Sequence, residues 1–145
     1  MTTLVDLAAT PDPDDLREAQ ALLVLQQLRP RLDLDAWTRV RTDPLAPRPT
    51  FTIVQDEGTV TAVAGWRLMA TTSSGRRLYV DDLVTDAGAR SRGHGRTLLA
   101  HLRERAADLG ASALHLDSGV QRFDAHRFYL RERMSIADHH FVIPV

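Results

Sequence analysis

Residues 82–99 read DLVTDAGARSRGHGRTLL. An apolar, strand-like run enters a short polar loop, and Gly93-His94-Gly95 then opens a helical pattern. Glycine lets the backbone approach a ligand closely and turn successive N–H groups outward. At a helix start those donors, together with the dipole, favour an anion such as a pyrophosphate. Arg90, Arg92 and Arg96 add positive charge beside them. The segment lacks the Gly-Lys-Ser/Thr ending of the Walker loop. It also has only two of the three glycines of the dinucleotide fingerprint, with no early βαβ unit around them. On its own, a GxG also serves as a tight turn before an ordinary helix flanked by solvated arginines.

A second group of polar residues lies just upstream, where VDDLVT (80–85) carries the adjacent carboxylates Asp81 and Asp82. Strand alternation puts neighbours on opposite faces, and a bulge would change that parity. The six histidines include no helical i, i+4 pair and no acidic cluster of the kind that holds zinc, so no metal site is expected. His139 and His140 would sit on opposite faces of a strand. With no cysteine, disulfides, thiolate zinc sites and an acyl-cysteine intermediate are all excluded.

The elements that must position these residues follow from periodicity. TLVDLA (3–8) reads as an edge strand, and TPDPDD supplies helix-start chemistry for a helix over Leu16–Leu28 that Pro30 ends. A short helix over Leu34–Val40 would pack Leu34, Trp37 and Val40, and the proline-rich 43–49 segment is a loop. FTIVQ (51–55), an Asp-Glu-Gly turn and TVTAVAGWRLMA (59–70) form a hairpin, with a third strand at 76–86. Residues 96–110 place Leu98, Leu99, Leu102, Ala106 and Leu109 on one helical stripe that stops at Gly110. A strand at 112–119, a helix at 124–133 and a terminal strand at 137–145 complete a β-α-α-β-β-β-α-β-α-β order, read as one domain over residues 1–145. The 145 residues are 43% hydrophobic and 26% charged with net charge −1, the make-up of an ordinary globular chain without the basic surplus of a nucleic-acid binder. The N-terminus lacks the pattern of a secretory signal and no apolar run is long enough to span a bilayer, so a cytoplasmic location and no membrane partner are expected.

Arg90-Ser91-Arg92-Gly93-His94-Gly95 resembles the Q/R-x-x-G-x-G/A signature of the GNAT superfamily of N-acetyltransferases. Ala125-His126-Arg127-Phe128-Tyr129 is similar to that family's A-x-x-F-Y segment, and the element order is the family's over nearly the whole chain. The resemblance implies an α/β (mixed α+β) fold. A central, mostly antiparallel twisted sheet is flanked by helices, and the strands at 78–86 and 112–118 splay around the pantetheine arm of acetyl-CoA, the implied co-substrate. Backbone groups of Leu83, Val84 and Thr85 would pair with the pantetheine. Amides of Arg90, Ser91, Arg92, Gly93, His94, Gly95, Arg96 and Thr97 would cradle the pyrophosphate.

The resemblance also implies catalytic roles, because acyl transfer to an amine needs a base, an acid for the departing thiolate and an oxyanion donor. Tyr129 matches the family's general acid; the alternative is a core tyrosine beside Phe128. Asp81 is the preferred base with Asp82 next, the alternative being acids that only bind a cationic substrate or cap a neighbouring group. The amide of Leu83 or Val84 would be the oxyanion donor, and His126 is an auxiliary candidate base. Departures from the pattern are Arg122 where the family has Asn, leaving Ser118 or Asp117 to contact the pantetheine, and Arg133-Met134 where Gly-Phe is common. The tail is short, and a homodimer would cover the exposed sheet edge. The expected reaction is direct transfer to a primary amine, on a small molecule or a peptide, in a ternary complex. The alternatives are an acyl-CoA-binding sensor without turnover and an acetyltransferase acting on charged tRNA.

Overall fold

The first helix begins where an acid can cap it. In the computed structural model, which describes residues 1–145, α1 spans Leu16–Leu28 and the Asp15 carboxylate accepts from the Arg17 amide at 2.9 Å. Helix α2 spans Leu34–Thr42, with Asp33 accepting from the Ala36 amide at 2.8 Å. The packing expected for α2 is only partly met. Leu34 and Val40 are 65% and 38% exposed, and the helix buries Trp37 and Arg41 instead. These two stand one turn apart, so they share a face. The Arg41 guanidinium reaches Glu18 Oε1 and the Ala8 carbonyl, each at 2.5 Å, and lies 5.6 Å from the Trp37 ring and 5.7 Å from Phe51. A buried cation is tolerable there because a carboxylate, a carbonyl and two ring faces replace its water.

The chain divides into two compact units, Met1–His115 and Leu116–Val145. The strands are β1 (Thr2–Asp6), β2 (Thr50–Asp56), β3 (Thr59–Thr71), β4 (Gly75–Thr85) and β5 (Leu114–Leu116), in that spatial order. The first four run antiparallel. The β2–β3 turn has positive φ at both Glu57 and Gly58, the conformation that matches strand twist in a two-residue hairpin. Ser112 N–H donates to the Arg76 carbonyl and Leu78 N–H to that of Ala113. Numbering rises on both sides of these bonds, so β5 enters parallel to β4 and the sheet is mixed.

One sheet face carries Phe51, Ile53, Val63 and Val84 against Leu22 and Leu25 of α1 and Trp37 of α2. The other lies under α3 (His94–Asp108), which buries Leu98, Leu99, Leu102 and Ala106 and ends at Gly110 with positive φ. On this side the Trp66 indole N–H donates to Thr52 Oγ1 at 3.0 Å, and Thr52 donates to Asp6 at 2.6 Å. Arg105 of α3 holds the other Asp6 oxygen at 2.5 Å and lies 5.7 Å from the Trp66 ring.

The Leu116–Val145 unit contains α4 (Phe123–Arg131). Residues 137–145 form no strand, contrary to the expectation from their apolar composition. An extended segment becomes a strand only with a ladder partner, and Phe141, Val142 and Ile143 remain 90%, 76% and 85% exposed. The strand expected over 112–119 is likewise reduced to Leu114–Leu116. No helix is long and apolar enough to cross a membrane.

Strands β3 and β4 fall out of simple register at one point. Gly65 pairs with Asp82 and Trp66 with Val80, so Asp81 is an extra residue on β4. A Cβ on Gly65 would stand 2.8 Å from Phe51 Cε1 and 3.4 Å from Asp82 Oδ2. Phe51 is 2% exposed and has little room to move. Gly65→Ala is therefore expected to destabilise the protein by about 1–3 kcal/mol, read as a lower urea midpoint with an unchanged slope. An unchanged midpoint would show that Phe51 can retreat.

Candidate active site

The glycine loop is set at both ends. Asp86 N–H donates to the Thr61 carbonyl at 2.8 Å, and Gln27 of α1 clamps the next residues. Its side-chain amide donates to Asp86 Oδ1 at 2.6 Å and accepts from the Ala87 amide at 2.8 Å. A single 3₁₀ turn, Ala87–Ala89, follows, with Asp86 accepting from the Gly88 amide. Ser91 and Gly93 then take positive φ, and α3 starts at His94, two residues before the expected start. No side chain caps this helix start. The amides of His94 and Gly95 therefore face forward as donors of an uncapped first turn.

The side chains of the loop behave less uniformly than their charges suggested. Arg90 and Ser91 are exposed. The Arg92 guanidinium does not stand beside the loop amides but pairs with Asp56 at the end of β2. The Thr2 hydroxyl, with Arg92 behind it, holds the Asp56 carboxyl below the usual carboxylate range. His94 is only 6% exposed, and its Nε2 is buried without a hydrogen-bond partner. Its side chain, at the first position of α3, is thus shielded from solvent.

Strand β4 delivers the backbone of Leu83, Val84 and Thr85 opposite Ala64, Val63 and Ala62 of β3. It runs on to Thr85, while β5 stops at Leu116 soon after the bond between Ala113 and Leu78. The outer edge of β4 at 83–85 thus extends past the end of its parallel neighbour.

The bulge decides the geometry of the two acids. Asp82 lies beside Gly65 on the α1/α2 face, and the extra residue Asp81 meets Arg67, two positions beyond Gly65 on β3. Both carboxylates therefore share one face, and plain alternation is overturned for the reason that a bulge allows. Their environments differ. Arg67 grips Asp81 with two bonds of 2.7 and 2.8 Å, a fork that occupies both oxygens. Asp82 takes a single bond of 2.9 Å from Arg29, the residue after α1, whose guanidinium also reaches the Asp81 carbonyl. Burial pushes the Asp82 carboxyl above its ordinary value, opposed by Arg29 and reinforced by Asp81. Asp82 is the acid that keeps a free oxygen, and burial raises its proton affinity. Arg29, Arg67 and Gln27 were not singled out in the sequence. The mark that could have found them is Gly65, a glycine in the middle of a β-branched strand, which signals a bulge.

Tyr129 and Ser118 belong to the Leu116–Val145 unit. Tyr129 stands on α4 with its ring 5.6 Å from that of Phe128, and burial raises its phenol above the ordinary value despite Arg122. A cavity of about 500 Å³ in this unit is lined by Ser118, Tyr129, Leu130, Met134 and Phe141 among others. The Ser118 hydroxyl is buried with no hydrogen-bond partner, so it is a donor in want of an acceptor. His126 Nε2 donates to the Gly119 carbonyl at 2.8 Å, which leaves Nδ1 as the other ring nitrogen. His140 Nδ1 meets Asp117 at 3.0 Å instead of facing across a strand from His139.

Comparison with known proteins is consistent with this arrangement. The model of the acetyltransferase (GNAT) family matches residues 15–133. The uncharacterized N-acetyltransferase YhdJ of Bacillus subtilis (strain 168) is 30% identical over 113 residues, which cover 77% of this chain and 79% of that protein. Among solved structures, the aminoglycoside N-acetyltransferase AAC(6')-Iy in complex with CoA superposes with a TM-score of 0.82 at 11% identity, over 100% of this chain and 95% of that one. The ribosomal-protein-alanine N-acetyltransferase of Brucella melitensis biovar Abortus 2308 does so with 0.81 at 15% identity, over all of both chains. At these identities the likeness is one of fold.

The raised Asp82 pKa has a signed consequence for stability. A carboxyl raised on folding contributes stability below its ordinary pKa, and that contribution is lost as pH climbs through the shifted value. The stability of Asp82→Asn relative to the wild type is therefore expected to rise with pH across that window, in urea titrations of both proteins. A difference that stays flat with pH would show that Asp82 titrates normally.

Proposed function

The chain belongs to the acetyltransferase (GNAT) family, and from that premise we propose that it transfers an acetyl group from acetyl-CoA directly to a primary amine, with Asp82 as base and Tyr129 as acid. Acetyl-CoA supplies the acyl group as a thioester. In this reading the amides from Arg90 to Thr97 hold the pyrophosphate, above all those at the uncapped start of α3. The β4 backbone at Leu83–Thr85 hydrogen-bonds the pantetheine arm and directs an amide at the developing oxyanion. The orphan Ser118 hydroxyl fits a carbonyl of the same arm, in place of the asparagine that Arg122 replaces.

Proton accounting assigns the remaining roles. The acceptor must attack as a free amine, so its proton passes to Asp82, directly or through water. A nitrogen–carbon bond forms as the carbon–sulfur bond breaks, and the Tyr129 phenol supplies a proton to the thiolate. A tyrosine phenol is protonated at neutral pH, so it has a proton to give. With no cysteine in the chain, no acyl-cysteine step is available. The observation that carries the reading is the bulge, which leaves Asp82 half-buried and held by a single bond while both oxygens of Asp81 are engaged. A cytoplasmic setting, one functional domain over residues 1–145 and a small or peptide amine as acceptor complete the proposal.

CoA thiol release across a panel of small amines, amino acids and peptides tests it. Turnover with at least one class is expected. Asp82→Asn and Tyr129→Phe should each lower kcat by about 10²-fold or more, whereas Asp81→Asn should act mainly through stability. The acidic limb of the kcat/KM profile should lie above the ordinary carboxylate range. Tight acetyl-CoA binding with no thiol release from any amine would instead favour a sensor.

A further inference from the structure

The face that carries Asp82 continues along β4 and β3 through Arg67, Tyr79, Met69 and Arg77. Arg67 pairs with Tyr79 across the strands and Met69 with Arg77. The Tyr79 ring is flanked by both guanidiniums, Arg67 at 5.5 Å and Arg77 at 5.8 Å. Two cations on one ring repel each other unless anions answer them. Arg67 has its anion in Asp81, and Arg29 has Asp82. Arg77 has no ion-pair partner, and its Nε is buried without a hydrogen bond. An orphaned buried donor of this kind is unfavourable unless an acceptor reaches it. The charges therefore argue against a polycationic acceptor: both acids are already matched, and the unanswered charge on the face is positive.

We propose that this face binds an amine acceptor carrying an anionic group, with Arg77 as the residue that reads the anion and Tyr79 as the platform holding its guanidinium. The proposal rests on the reading of Asp82 as base, since that fixes where the amine must be. Asp82 and Arg77 are five positions apart, about 15 Å along a strand, and their side chains shorten the gap. An α-amino acid is too short to engage both. A peptide of two to four residues, at about 3.3–3.6 Å per residue, spans it with its N-terminal amine at Asp82 and its carboxylate at Arg77. Arginine suits that end because its planar fork matches a carboxylate.

The test uses di-, tri- and tetra-alanine, each as the free acid and as the C-terminal amide, in the CoA-release assay. The wild type is expected to favour at least one free acid by about ten- to hundredfold in kcat/KM, chiefly through KM. Arg77→Gln should bring kcat/KM for the acid down to that for the amide, and Arg77→Lys should restore part of the difference. Binding of the N-acetylated acid and amide products by titration calorimetry gives a readout independent of turnover. Equal use of acid and amide by an enzyme that acetylates other amines would overturn this proposal and leave the proposed function standing. Calorimetry that does not separate acid from amide, including no binding of either, would overturn it also where no turnover is seen. An acid preference that survives Arg77→Gln would place the anion elsewhere.

Discussion

A single extra residue in β4 organises the chemistry of this protein. Had β3 and β4 paired without a bulge, one carboxylate of the Asp81–Asp82 pair would have faced α3 and the core beneath it. That position would have required a buried, unpaired charge in a layer filled by leucines. The bulge brings both acids to the α1/α2 face, where arginines from two different elements meet them. Gly65 makes the arrangement possible, since it lets Phe51 and Asp82 close over the same patch of backbone. The division of labour between the acids follows. The one gripped by a fork is structural, and the one held by a single bond keeps an oxygen for other use.

The loop before α3 shows the same economy. Its conformation is imposed from outside by Gln27, Thr61 and Asp86, so its own side chains are free of that task. Arg92 turns away to Asp56, and His94 turns inward. The positive character of the helix start then comes from backbone amides more than from a cluster of guanidiniums. Backbone donors are fixed in direction, whereas arginine side chains must lose rotamer freedom to bind. A phosphate held this way is held by shape.

Helix α1 was readable from sequence residue for residue, because a capping acid, an apolar stripe and a proline all bear on the same segment. The hairpin strands and α3 were readable for similar reasons: turn residues and a change of period are local signals. The terminal strand was misread, since apolar composition says that a segment can extend but not that a partner is there to receive it. Leu34 and Val40 were misread because a nine-residue helix has too few turns for its stripe to identify itself, and a paired arginine took the core position. At the site, the glycine loop and Tyr129 were visible as types at a spacing. The different surroundings of Asp81 and Asp82 were not, because they depend on a register shift and on arginines far away in the chain.

The two tryptophans fall on opposite sides of the sheet. Trp37 lies with Arg41 and Phe51 on the side of Asp82, and Trp66 lies with Thr52 and Arg105 on the side of α3. Each ring has a cation about 6 Å away and a distinct polarity around it, so the two indoles should differ in emission. Replacing either by phenylalanine would leave a chain with a single native fluorophore that looks at one side only. The protein thus carries its own pair of optical reporters, able to tell an event on the α1/α2 side of the sheet from one on the side of α3.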